Sequence, residues 1–304
     1  MSFISTYQSC KTLLANKLTE YGVTASEIEG LTTLINKIQN LEPIGSGTFI
    51  VSDKKSVGDN ETVKFTGVVL GDNGGLVESE DRLIRIIDEN DTEIFSNTLT
   101  SANNLFSVDG GAYMSWEVSS DGITYDKVAG KLTSVGFDFN HYEYSISFDS
   151  KTDDNVLSWF GWGTGVGFWQ GLQFSVSTQN ASFSTDTFYN IKIILEGYYY
   201  KLYFNNVLIE QNMMNSDFFT NNIFYLIFEA DDWVNTIKNL QIKKRRLYGK
   251  SNSGIVYGQY TMTDGEDINV MVVHDNDYSI KNQYQDEVTD SVVSSVLSIE
   301  YDDN

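Results

Sequence analysis

Between Tyr189 and Gln211 the chain reads YNIKIILEGYYYKLYFNNVLIEQ. Apolar and polar residues alternate, and two tight-turn pairs, Gly197-Tyr198 and Asn205-Asn206, interrupt the alternation. A period of two suits a half-buried strand and no helix. Asn-Asn is a pair that two-residue hairpin turns favour. The stretch therefore predicts three consecutive antiparallel strands: Tyr189 to Glu196, Tyr199 to Phe204, and Val207 to Glu210. "YEYSISFDSKT" from Tyr142 alternates likewise, with Tyr142, Tyr144, Ile146 and Phe148 on one face. "IFYLIFEA" and "IKNLQIKK" add two more strands. Residues 106–247 are thus expected to form a jelly-roll β-sandwich. Its core should take in Ile193, Leu195, Leu202, Phe204, Leu226, Phe228, Leu240 and Ile242.

The flanks read differently. In residues 1–43, Ile4, Tyr7, Leu14, Leu18 and Tyr21 recur at helical spacing, and Gly22 ends the helix. Ser26 and Glu29 fit the S-x-x-E capping box that opens a second helix. Its apolar stripe is Ile28, Leu31, Leu34, Ile35, Ile38 and Leu41, and Pro43 stops it. Such narrow seams must pack on each other, on another domain or on copies of the chain, so Ile28, Leu31, Leu34, Ile35 and Ile38 are the candidate assembly residues. Residues 44–105 alternate in short strands and predict a small immunoglobulin-like β module, with a strand lent by the next segment. Residues 248–304 read as a C-terminal β extension. "DSVVSSVLSIEY" there suits either a strand or a short helix. The fold class expected is mainly β, with an N-terminal α-helical hairpin.

Composition excludes several roles. The chain of 304 residues carries 42 Asp and Glu against 20 Lys and Arg, a formal charge of −22. That balance opposes nucleic-acid backbones and anionic lipid. One cysteine, Cys10, permits no intrachain disulfide, and the two histidines, His141 and His274, lie far apart without metal-ligand spacing. No apolar run approaches the roughly 18 residues a membrane span requires. The first residues lack the basic and apolar regions of a secretory signal, so the chain is expected either to stay in the cytoplasm or to leave by another route, such as assembly into a particle released by lysis.

A search for chemistry finds no enzyme signature. Glycosidases of the sandwich class set carboxylates on alternate residues of one strand. Glu78 and Glu80 are two apart, but they stand in a turn outside the sandwich. "GTGVG" at 163–167 lacks the lysine and following helix of a phosphate loop. Asp153, Asp154, Asp231 and Asp232 sit in acidic loops and are weak candidates for Ca2+, the one cofactor considered.

The stretch "SWFGWGTGVGFWQG" at 158–171 raises the main functional question. Read at period two it is a hairpin, with Leu157, Trp159 and Gly161 on one face and Phe160 and Trp162 on the other. Aromatic faces stack on sugar rings and also fill sandwich cores. The expectation is Trp159 inward and Trp162 or Trp169 near the surface. Trp162, Phe168, Trp169 and Tyr198 are the candidate ligand-binding residues.

"FYNIKIILEGYYYKLYFNNVLIEQ" followed by "IKNLQIKK" resembles the concanavalin A-like, laminin G-type sandwich, a fold shared by lectins, glycosidases and spacers. "LLANKLTEYGVTASEIEGLTTLINKIQNLEP" resembles the helical hairpin that opens many phage tail and fibre proteins. The order of modules is similar to that of adhesin-like and virion proteins of archaea and their viruses. Together these resemblances imply a non-enzymatic tail-fibre or baseplate component on a virion surface. Its partners would be a host glycan or receptor, other virion proteins through residues 1–43, and copies of itself in a homotrimer or other oligomer. A purely structural spacer is the alternative.

Overall fold

The structure is a computed structural model. It describes residues 3–20, 24–26, 28–30, 33–34, 37, 47–70, 76, 83–101, 105–108, 115–126, 129–163, 173–197, 199–214, 223–230, 233–263, 265–274, 292–294 and 296–302. Helix α1 is Phe3–Glu20. Strands β1 to β4 are Gly47–Ser52, Ser56–Val57, Thr62–Leu70 and Ile84–Asp88. Then come β5 Thr92–Asn97, β6 Phe106–Val108, β7 Ser115–Ser119, β8 Gly122–Asp126 and β9 Ala129–Leu132. The long middle strands are β10 Tyr142–Thr152, β11 Val156–Gly163, β12 Gln173–Ser177, β13 Tyr189–Glu196, β14 Tyr199–Phe204, β15 Val207–Met213 and β16 Tyr225–Glu229. The chain closes with β17 Val234–Ser251, β18 Ile255–Thr261, β19 Ile268–His274, β20 Val292–Val293 and β21 Leu297–Tyr301.

Two compact units result. One joins Met1–Asn90 to Leu247–Ser279 and Asp286–Asn304; the other is Asp91–Arg246 with Ile280–Gln285.

The second unit is an antiparallel sandwich. One sheet runs β15-β14-β13-β10-β17, and β5 and β8 both pair with the far side of β17. The other sheet runs β12-β11-β16-β9-β6. Alternation decides which residues fill the space between them. Ile146 and Phe148 of β10, Ile191 and Ile193 of β13 and Leu202 of β14 are fully buried and meet Phe160, Leu226 and Phe228 of the opposite sheet in one cluster. All eight residues expected in this core are there. The hairpin reading also holds in detail. Asn205 and Asn206 adopt φ of 47° and 65°, the left-handed pair of a type I′ turn, between β14 and β15.

A buried polar network crosses this core near the start of β17. Asn235 is fully buried. With its amide oriented to suit its neighbours, it donates to Thr152 Oγ1 and to the Leu157 carbonyl and accepts from Trp233 Nε1. Ser150 Oγ donates to the same Leu157 carbonyl at 2.8 Å. Burial pushes the hydroxyls of Tyr125, Tyr144 and Tyr200 well above the ordinary phenol range, so all three are neutral core groups.

The first unit draws strands from both ends of the chain. β3 pairs β1 on one side and β18 on the other, and β4 pairs β19. Strands β18, β19 and β21 therefore belong with the small module begun at β1. The two faces close over Val63, Phe65, Ile86, Val256, Val270 and Val272. Strand periodicity marks each of these segments but carries no signal of which distant segment pairs with which. "DSVVSSVLSIEY" resolves as strands β20 and β21, with β21 antiparallel to β19 and parallel to β2.

Within residues 1–43, Ser26 and Glu29 bond to each other, but residues 28–30 are not helical, so the pair closes a turn and does not open the expected helix there. Ser26 N donates to Glu29 Oε1 at 2.9 Å, and Ile28 N donates to Ser26 Oγ at 3.3 Å. Lys37 Nζ closes on Glu29 at 2.7 Å and holds its carboxyl below the usual range. Leu34 is buried against Ala15 and Leu18, whereas Ile28 is 88% exposed. The seam is thus split: Leu34 packs inward on α1 and Ile28 faces solvent. Leu31, Ile35 and Ile38 lie outside the described residues.

Candidate functional site

The described side chains of the tryptophan stretch pack into the core. β11 pairs β12 and β16, placing Phe160 opposite Phe174 and Phe228, and Trp162 opposite Leu226. Trp162 is 1% exposed and lies edge-on to Phe137, Phe139 and Phe174. The expectation that Trp162 faces a ligand is corrected. A register shift between Val156 and Ser158 sets the phase of the strand. The face turned inward is the one that buries the rings of both Phe160 and Trp162. Phe168, Trp169 and Tyr198 lie outside the described residues, as does the side chain of Trp159.

The acidic loops also find ordinary work. Asp153 Oδ1 accepts from Val234 N at 2.9 Å and Asp154 Oδ1 from Asn155 N, so both tie down the β10–β11 turn. Asp231 and Asp232 are outside the described residues. Among the described residues, no three His, Cys, Asp or Glu side chains gather as a metal site would need.

A different arrangement stands on the outward face of the larger sheet, over β13, β10 and β17. Because Ile146, Phe148, Ile191 and Ile193 point into the core, the alternate residues Ser147, Asp149, Asn190 and Lys192 point out. Register sets Asp149 opposite Asn190 on one side and Lys238 on the other. It sets Ser147 opposite Lys192 and Gln241, and Lys192 opposite Tyr203.

A bulge shapes the centre of this face. The β10–β17 register shifts between Ser147 and Asp149, and Asn239 occupies the extra position at φ 53°. Asparagine tolerates that left-handed conformation better than other residues with a side chain. Asn239 N is held by the Thr98 carbonyl at 3.2 Å, which turns its side chain toward Asp149.

Asp149 then fixes two amides at once. Asn190 Nδ2 donates to Asp149 Oδ1 at 3.1 Å, and Asn239 Nδ2 donates to Asp149 Oδ2 at 2.7 Å. A carboxylate only accepts, so each amide must turn its nitrogen to it and its oxygen away. Among the described residues, neither amide oxygen accepts a hydrogen bond in return. The Asn205 side chain braces the same spot by accepting from Asn190 N at 3.0 Å.

One aromatic ring borders the amides. Phe188, half-buried just before β13, lies under the ammonium of Lys238 at 3.7 Å and of Lys151 at 4.9 Å from its centroid. Lys151 also contacts Asp121 at 3.4 Å. The face therefore offers pre-set acceptors, ammonium donors and an apolar ring within one patch. Hydroxyl groups on a flat, partly apolar ring have the complementary chemistry: they donate to amide oxygens, accept from ammonium groups and lay C–H faces on the aromatic.

Sequence reading missed this patch. The outward position of Asp149 and Asn190 follows from the alternation already used for the core. The bulge at Asn239 does not, and without it the second amide would not reach Asp149.

No family model matches the chain, and no curated protein matches it. Solved structures are similar only distantly. The carbohydrate binding module CBM66 from Bacillus subtilis is 11% identical, with a TM-score of 0.33, over 45% of this chain and 93% of that one. A protein of unknown function with a galectin-like fold, also from Bacillus subtilis, is 9% identical with a TM-score of 0.35, over 53% of this chain and 99% of the other. A putative glycosyl hydrolase from Parabacteroides distasonis is 10% identical with a TM-score of 0.31, over 42% and 88%. Likeness at this level does not separate lectin, enzyme and spacer.

Proposed function

We propose that this chain is a non-enzymatic carbohydrate-binding module and that the outward face over β13, β10 and β17 is its binding surface. The observation that carries the reading is the double clamp of Asp149 on Asn190 and Asn239. It holds two amide oxygens outward before any ligand arrives, which lowers the ordering cost of binding. Phe188 beside them seats the ammonium of Lys238 at 3.7 Å and so holds that donor over the patch. Paired carboxylates flanking a reacting bond are absent from the described part of this patch, where Asp149 is spent on the two amides.

A glycan array with the full chain tests the reading. Binding to a restricted set of sugars is expected. Phe188→Ala should weaken it about tenfold, roughly 1.4 kcal/mol, while the melting temperature changes little. Retention of no glycan at all, or full affinity in the Phe188→Ala variant, contradicts it.

The finer proposal is host attachment by a virion fibre or baseplate protein, with residues 1–43 as the assembly element. Its support is the resemblance of the N-terminal hairpin and the 88% exposure of Ile28, an apolar side chain left for a partner. Deleting residues 1–42 should leave a soluble protein that still binds sugar but no longer self-associates. An unchanged mass in light scattering removes the assembly role.

A further inference from the structure

Acids outnumber Lys and Arg by 42 to 20 in this chain. A surface lysine here is surrounded by potential partners, and two lysines of the same sheet have taken one. Lys201 pairs with Glu196 at 2.8 Å, and Lys243 approaches Asp91 at 3.8 Å. Around the Asp149 clamp Lys151 is paired likewise, with Asp121 at 3.4 Å, but two other lysines are not. Among the described residues, neither Lys192 nor Lys238 has a carboxylate within ion-pair distance, and Lys238 instead rests its ammonium on Phe188 at 3.7 Å. The one carboxylate at the centre, Asp149, is engaged by two amides.

We infer that the ligand is an anionic carbohydrate, carrying carboxylate or sulfate groups, with the acid group held between Lys192 and Lys238. This rests on the carbohydrate-binding reading above and narrows it. An ammonium seated on an aromatic face has shed part of its water and pairs more strongly with an incoming anion. The net charge of −22 does not forbid the contact. At physiological salt the Debye length is about 8 Å, so distant acids are screened while the two lysines touch the ligand directly.

The test compares polygalacturonate, dextran sulfate and neutral dextran as ligands for the full chain, at about 50 mM and about 200 mM salt. The first two probes separate a carboxylate from a sulfate source. At least one of them should bind, and more weakly at the higher salt, with neutral dextran at least tenfold weaker. The Lys192→Gln, Lys238→Gln double variant should lose tenfold or more for the anionic polymer. Lys131→Gln, on the opposite sheet beside Tyr225, should lose nothing. Equal loss in Lys131→Gln means diffuse charge attraction and overturns the inference. Glycans bound only when neutral, indifferent to salt and to the double variant, overturn it while leaving the carbohydrate-binding reading intact. Absence of all carbohydrate binding removes both.

Discussion

Trp162→Ala should destabilise the large sandwich by about 3–5 kcal/mol, the range for truncating a buried tryptophan. The side chain is 1% exposed and has rings on several sides: Phe137 at 5.7 Å, Phe139 at 6.1 Å, Phe160 at 6.4 Å and Phe174 at 5.7 Å. Two come from β11 and β12 of one sheet and two from the segment before β10, so the cavity left by alanine cannot close by one local movement. Trp162→Phe makes the claim sharper. Among the described residues, the buried indole Nε1 has no hydrogen-bond partner. Phenylalanine removes that unsatisfied donor and keeps most of the ring, so a loss under about 1.5 kcal/mol is expected. Urea denaturation of both variants settles the matter. A loss below about 1 kcal/mol for Trp162→Ala would place the ring outside the core.

Gly122→Ala should be nearly as damaging, although it adds a single methyl group. Gly122 opens β8 at φ 127°, a conformation that residues with a side chain rarely adopt. That backbone strain alone costs about 1–3 kcal/mol. A Cβ at this position would also lie 2.3 Å from the Ile237 carbonyl oxygen, which belongs to the β8–β17 ladder. Either the β7–β8 hairpin lifts from β17 or the strand bends. Faster amide exchange across Gly122–Asp126, with a loss of at least about 2 kcal/mol in denaturation, is the expected result. Asp121→Ala beside it, which removes only an exposed contact to Lys151, should cost under about 1 kcal/mol. Similar small losses for both would show that the close approach is relieved at little cost.

The two cases also mark how far the chain can be read unaided. Local rules sufficed where one segment determines its own structure. The Asn205-Asn206 turn and the eight core residues of the large sandwich follow from turn chemistry and alternation. Alternation cannot choose its phase, however. In β11 both phases offered a tryptophan, and the register shift beside Ser158 fixed which face turned inward. Pairing over long separations is equally silent in sequence. β3 meets β18 nearly two hundred residues later, so one small module looked like two unrelated flanks. The candidate site was half legible for the same reasons. Asp149, Asn190 and Lys192 fall on the outward face by period alone, while Asn239 depends on a bulge that only the paired strand defines.

The side-chain amide signals of Asn190 and Asn239 report most directly on the central claim. In a 15N-labelled protein titrated with an array-positive sugar, both amide pairs should shift together and saturate at one affinity, because the ligand hydroxyls bond to their oxygens. In Asp149→Ala the amides lose their common anchor, and affinity should fall about tenfold or more, roughly 1.4 kcal/mol, with the fold retained. Saturable shifts confined to other parts of the molecule, with Asn190 and Asn239 unmoved, would contradict a binding face over β13, β10 and β17.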